Sequence, residues 1–147
     1  DLVGAGQAFA ETYAFCGEAL MVDAVAAEHC EILFLHTAAL TDARIEPALQ
    51  DKLLRRLLAV SMRKNLSLSQ RIFCTTPKTV RGRLLTYFSA QAARCGRMEF
   101  EVPFNRQQMA DYLNLDRSAL SKELCKMRDE GLLEFDKNRF VLKQLPE

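Results

Sequence analysis

No apolar run in this 147-residue chain approaches the roughly 20 residues that a membrane span requires, so a transmembrane helix is excluded. Residues 1–10 lack a basic start and a long apolar stretch, and no secretory signal peptide is expected. The chain opens without methionine and inside apolar sequence, so its first part is expected to be absent. There is no phosphate-binding glycine loop, no dinucleotide glycine motif, no His/Cys metal cluster and no convincing catalytic triad. No enzyme, metal or cofactor is therefore expected. Cys16, Cys30, Cys74, Cys95 and Cys125 are odd in number and widely scattered, with no Cys-x-x-Cys pair. Chelation needs close spacing or a folded cluster, so free thiols in a cytoplasmic protein are expected. Cys30 and Cys125 fall in apolar-periodic stretches, where a thiol packs as a small hydrophobe.

What is there is apolar residues, at 49% of the chain, and an uneven distribution of charge. The net charge is +1, yet residues 1–50 hold eight acids against the single base Arg44. Residues 51–97 reverse this, with eleven bases against Asp51 alone. Residues 98–147 hold ten acids and eight bases. A middle block this basic suggests a polyanionic partner or a solvated helix face.

Short β-prone pieces at Leu2-Val3, Ala19 to Val25 and Cys30 to Leu35 are punctuated by Gly4, Gly6 and Gly17. Glu31 to Leu35 reads as a largely buried strand, the last part of a larger sheet. Thr41 or Asp42 can cap the helix that follows. From Glu46 to near Phe73 the only helix breaker is Pro47. Leu54, Leu58, Ser61, Asn65, Leu68 and Ile72 recur at alternating spacings of four and three, a coiled-coil seam with two polar positions. Leu49, Leu53 and Leu57 form a second stripe. A helix with two apolar faces needs two partners, and the simplest second one is a twin subunit. Pro77 disfavours helical geometry at Thr76, so a hinge is expected there, with Thr76 capping a helix from Lys78 to about Ala93. Val80, Leu84, Leu85 and Phe88 mark its core side.

Residues 98–143 read as strand, helix, turn, helix, hairpin. Met98 to Val102 alternates and Pro103 ends it. Asn105 caps a helix over Arg106 to Leu113, with Met109, Ala110 and Leu113 inward. Asn114-Leu115 makes a tight turn. Asp116 caps a second helix from Arg117 to Glu130, with Leu120, Leu124 and Met127 inward, and Gly131 stops it. Leu132 to Phe135 and Phe140 to Leu142 flank Asp136-Lys137-Asn138-Arg139 as a small hairpin, or wing. On the outer face of the second helix stand Arg117, Ser118, Ser121 and Lys122. A recognition helix sets its N-terminal residues against base edges in the major groove. Arg can bond two acceptors on guanine, and Ser can bond several bases. Asn105, Arg106, Gln107 and Asp116 complete the candidate DNA-binding set, the N-terminus of the first helix being placed for phosphates.

This stretch resembles the Crp/Fnr family of bacterial regulators. The resemblance is carried by Phe104-Asn105-Arg106-Gln107-Gln108-Met109-Ala110-Asp111-Tyr112-Leu113, by Leu115-Asp116-Arg117-Ser118-Ala119-Leu120-Ser121-Lys122-Glu123-Leu124 and by Glu130-Gly131-Leu132-Leu133. It extends upstream over essentially the whole chain, less specifically. It implies an α+β architecture in three parts. Residues 1–40 would be the end of an effector-sensing, cyclic-nucleotide-binding-like β-roll. Residues 41–74 would be a long dimerisation helix, and residues 75–147 a winged helix-turn-helix. It also implies a homodimer on palindromic double-stranded DNA with half-sites about one helical turn apart, and RNA polymerase as a further partner. Arg117 matches the family's base-reading arginine. Ser118 and Lys122 stand where the cyclic-AMP receptor has glutamate and arginine, so another half-site is expected. Nucleotide-binding members carry Gly-Glu and then an Arg-Ser or Arg-Thr pair. Here Ala5 follows Gly4, and Leu20-Met21 falls at the Arg pair. Without that carboxylate and guanidinium the charge-assisted bonds to a cyclic nucleotide are lost, and a different effector is expected. His29 and His36 read as structural rather than as haem ligands. The alternative is a winged-helix module that binds protein.

Overall fold

The computed structural model describes residues 3–42 and 44–143. Leu2 of the expected first strand piece, and the last four residues of the expected third domain, lie outside the described residues. The chain divides into two compact units, Asp1–Leu66 and Ser67–Glu147.

The first unit holds helix α1 (Glu11–Cys16), a 3-10 turn (Thr37–Thr41) and the start of the long helix α2 (Pro47–Thr75). Gly17 ends α1 at φ 70°, the left-handed geometry that glycine adopts without strain. Glu11 is buried and pairs with Lys64 on α2 at 2.8 Å, and the same ammonium donates to the Ala8 carbonyl at 2.7 Å. The expected strands at Ala19 to Val25 and Cys30 to Leu35 do not form. Described residues 3–42 contain no strand, and Leu33 and Phe34 are 92% and 85% exposed. An extended segment becomes a strand only when a neighbour takes up its backbone hydrogen bonds. β-prone composition alone supplies none, so the roll's expected sheet is not built among these residues.

Helix α2 begins at Pro47, whose fixed φ and missing N–H suit a first helical position. Asp42 does not cap it. Its carboxylate instead accepts from the Arg44 backbone at 2.9 Å and pairs with that guanidinium, which holds it below the usual aspartate range. The Thr41 side chain lies outside what is described. The Glu46 carbonyl accepts from Leu49 and Gln50 N–H at 3.0 and 3.1 Å and so starts the helix. Of the seam, Leu54, Leu58, Leu68 and Ile72 are all exposed.

The second unit is built around a core of Leu84, Tyr87, Phe88, Phe100, Val102, Met109, Ala110, Leu113, Leu120, Leu124, Met127, Leu133 and Phe140. Cys74 from the end of α2 joins it, and burial pushes its thiol pKa up. That makes Cys74 the one buried thiol of the five. Cys30 and Cys125, expected to pack as small hydrophobes, are exposed. Arg71 binds the last turns of α2 into this unit by donating to the Asp111 and Tyr112 carbonyls, each at 3.1 Å.

Helix α3 (Val80–Cys95) starts later than expected. Thr76 does not cap it, since its hydroxyl donates back to the Ile72 carbonyl at 2.8 Å. Thr79 is the cap and accepts from Gly82 N–H at 3.0 Å. A Cβ on Gly82 would meet the Pro77 Cβ and Thr79 Oγ1, both at 2.9 Å. Gly82→Ala therefore goes against helix propensity, which alone favours alanine by about 1 kcal/mol. We expect a loss of about 1–3 kcal/mol in denaturant unfolding, the cost of overpacking a fixed contact and disturbing the cap. A gain in stability would show that the Pro77 turn yields freely.

Three strands complete the unit: β1 (Glu99–Glu101), β2 (Leu133–Asp136) and β3 (Arg139–Leu142). They form one antiparallel sheet in the order β1-β3-β2. Between β1 and β2 lie helices α4 (Arg106–Leu113) and α5 (Arg117–Asp129).

Candidate nucleic-acid interface

Helix α4 opens on a reciprocal capping box. The Asn105 side chain accepts from Gln108 N–H at 2.9 Å, and the Gln108 side chain accepts from Asn105 N–H at 2.9 Å. It closes on Asn114, left-handed at φ 54°, which turns the chain toward α5. Met109, Ala110 and Leu113 are fully buried, as their spacing predicts, and Ala110 permits the close crossing of the two helices. Asp116 caps α5 by accepting from Ser118 and Ala119 N–H at 2.7 and 2.9 Å. Those bonds and the Ser118 hydroxyl hold its carboxyl below the usual range. Leu120, Leu124 and Met127 are fully buried, leaving the opposite face outward.

On that face Arg117, Ser118 and Lys122 are exposed and Ser121 is half-buried. Among the described residues neither Arg117 nor Lys122 has an ion-pair partner. The remaining candidates are placed differently. Gln107 is exposed and donates to Asp111 at 2.9 Å along its own helix. Asn105 is occupied by the capping box. Asp116 is turned into the α5 backbone, with its charge already satisfied. Arg106 is half-buried, with its guanidinium carbon 5.1 Å from the ring centres of both Phe135 and Phe140. Burial lowers its pKa. Arg106 thus ties α4 to the wing, a role that its place beside the cap did not reveal.

Two arginines that orient the interface were also missed. The Arg81 guanidinium on α3 binds Glu123 at 2.6 Å and Glu130 at 2.8 Å, holding the middle and the C-terminal end of α5. The signal was present, since acids seven residues apart lie on one helical face and call for a cation. Arg83 donates to the carbonyls of Pro77, Leu113 and Asn114 at 2.8, 3.1 and 2.8 Å, fixing the turn after α4. With Arg55 on Asp51, Lys64 on Glu11 and Arg71 on the end of α4, five of the block's eleven bases bond within the chain.

Arg81 holds the Glu130 carboxyl below its usual range. Its folded value is below its unfolded one, so this contribution is complete above roughly pH 4–5 and is lost as pH falls through the folded value. Arg81→Met should therefore show a smaller drop in unfolding temperature between about pH 7 and about pH 3 than the parent. An equal drop in both proteins would remove Arg81 from that role.

Helices α3, α4 and α5 with the β1-β3-β2 sheet make a winged helix-turn-helix, with α5 as the recognition helix and the β2-β3 hairpin as the wing. Residues 82–147 match the family described as the Crp-like helix-turn-helix domain, so this part of the chain is similar to that domain. Among solved structures it is similar to FixK2 from Bradyrhizobium japonicum, at 20% identity and a TM-score of 0.54. That match covers 75% of this chain and 55% of the other, so the chain spans just over half the length of that structure. A comparison with curated proteins returns no match. No helix among the described residues is long and apolar enough to cross a membrane.

Proposed function

We propose that the protein regulates transcription by binding a palindromic operator as a homodimer, with α5 in the major groove. The observation that carries this is the exposed Arg117 and Lys122 on the outer face of α5, a helix whose other side is locked into the core. Rigid presentation of the first turns of such a helix is what base readout requires. The exposed Leu54, Leu58, Leu68 and Ile72 on α2 support dimerisation, because they lie at coiled-coil spacing and each keeps more than a third of its surface open. In this reading residues 1–40 belong to an effector-sensing part, 41–74 to the dimer helix and 75–147 to the DNA-binding domain. The effector is not a cyclic nucleotide, and RNA polymerase is the further partner.

The internal use of five of the eleven bases favours keeping a second reading, in which the winged helix binds protein. Selection from a random duplex library at two salt concentrations separates them. A palindrome with guanine in each half-site, lost steeply as salt rises, is expected because phosphate neutralisation releases counterions. No binding at either salt would overturn the DNA-binding reading and favour the protein-binding one.

A further inference from the structure

The Ser118 hydroxyl has one proton, and an ionised carboxylate oxygen, Asp116 Oδ1, stands within hydrogen-bonding distance to accept it. Ser118 Oγ donates to Asp116 Oδ1, the atom that also accepts from the N–H groups of Ser118 and Ala119. Asp116 is held ionised by these bonds, so its carboxylate can only accept. Turning the Ser118 proton outward would set the oxygen's lone pairs against a carboxylate oxygen at hydrogen-bonding distance. A free serine reads any base, since it donates and accepts equally well. While its bond to Asp116 is kept, this one presents only its lone pairs to a ligand.

We infer that Ser118 is a specificity-determining residue that accepts a hydrogen bond from an exocyclic amino group, cytosine N4 or adenine N6, and rejects the carbonyls of guanine and thymine at the same position. This rests on α5 reading DNA as proposed above. The proton is committed by Asp116, so the cap of the recognition helix also sets the polarity of its first serine.

The experiment begins with operator selection by the whole chain and by Ser118→Ala, Ser118→Thr and Asp116→Gly. The parent and Ser118→Thr should require an amino-bearing base at one position of each half-site, and Ser118→Ala should lose that requirement. Asp116→Gly keeps an acceptable N-cap but frees the proton, so it should accept guanine or thymine at that position. Deleting the amino group from the selected base, with 2-pyrimidinone for cytosine or unsubstituted purine for adenine, should weaken parent binding about three- to tenfold. It should leave Ser118→Ala unaffected. Specific binding with guanine or thymine preferred by the parent, or an amino-base requirement that survives Ser118→Ala, would overturn the inference and leave the DNA-reading function standing. Absence of any sequence preference would overturn both.

Discussion

Phe140→Ala should cost about 3–5 kcal/mol of stability, the range for emptying a large aromatic site in a packed core. Phe140 is completely buried on β3. Its ring lies 4.6 Å from Phe88 on α3, 5.9 Å from Phe135 on β2 and 6.4 Å from Phe100 on β1, centre to centre. It also carries half of the Arg106 contact at 5.1 Å. Backbone pairs on either side, to Phe100 and Phe135, hold it in the central strand, so neighbours have little freedom to close the cavity. A small domain of this size has on the order of 5–15 kcal/mol to lose, and much of the winged unit should unfold at ambient temperature. Denaturant unfolding followed by circular dichroism measures this. A loss below about 1 kcal/mol would mean that the aromatic cluster repacks and does not set the sheet on α3.

Arg117→Ala should weaken binding to the selected operator by about 1–3 kcal/mol and relax preference at one base position per half-site. The fold should be unchanged, because Arg117 is exposed and lies opposite Leu120, Leu124 and Met127. Lys122→Ala offers the contrast. If Lys122 reaches phosphate, its loss weakens binding evenly across sequences and lowers the salt slope by about one. Titration of both variants against the operator and a scrambled duplex separates the roles. Operator affinity that survives Arg117→Ala intact would remove α5 from base recognition.

Much of the winged unit was legible because its signals are local. An Asn or Asp cap, a 3.6-residue apolar period and a left-handed Asn114 each act within one or two turns of chain. α4 and α5 accordingly form almost where their caps and spacings place them. The long helix was legible for the same reason, since Pro47 can start it and little afterwards can stop it. The start of α3 was less legible. Thr76 was expected to cap α3, but its hydroxyl turns back to the Ile72 carbonyl and Thr79 accepts from Gly82 N–H instead. The β-prone pieces before residue 36 failed for a deeper reason, since a strand exists only through its neighbour.

Sequence alone determined the identity of the module, the inward faces of α4 and α5, and the set of side chains on the outer face of the recognition helix. These follow from spacing along one chain segment, where backbone geometry leaves few choices. Tertiary structure decided the rest. It joined β1 to β3 across about 40 residues, and spent Arg71, Arg81 and Arg83 on carbonyls and carboxylates of distant helices and turns. It placed Arg106 on the wing's aromatic rings and committed the Ser118 proton to Asp116. Charge and hydrogen-bonding capacity are written in the sequence, but which partner uses them depends on distances that only the folded chain sets.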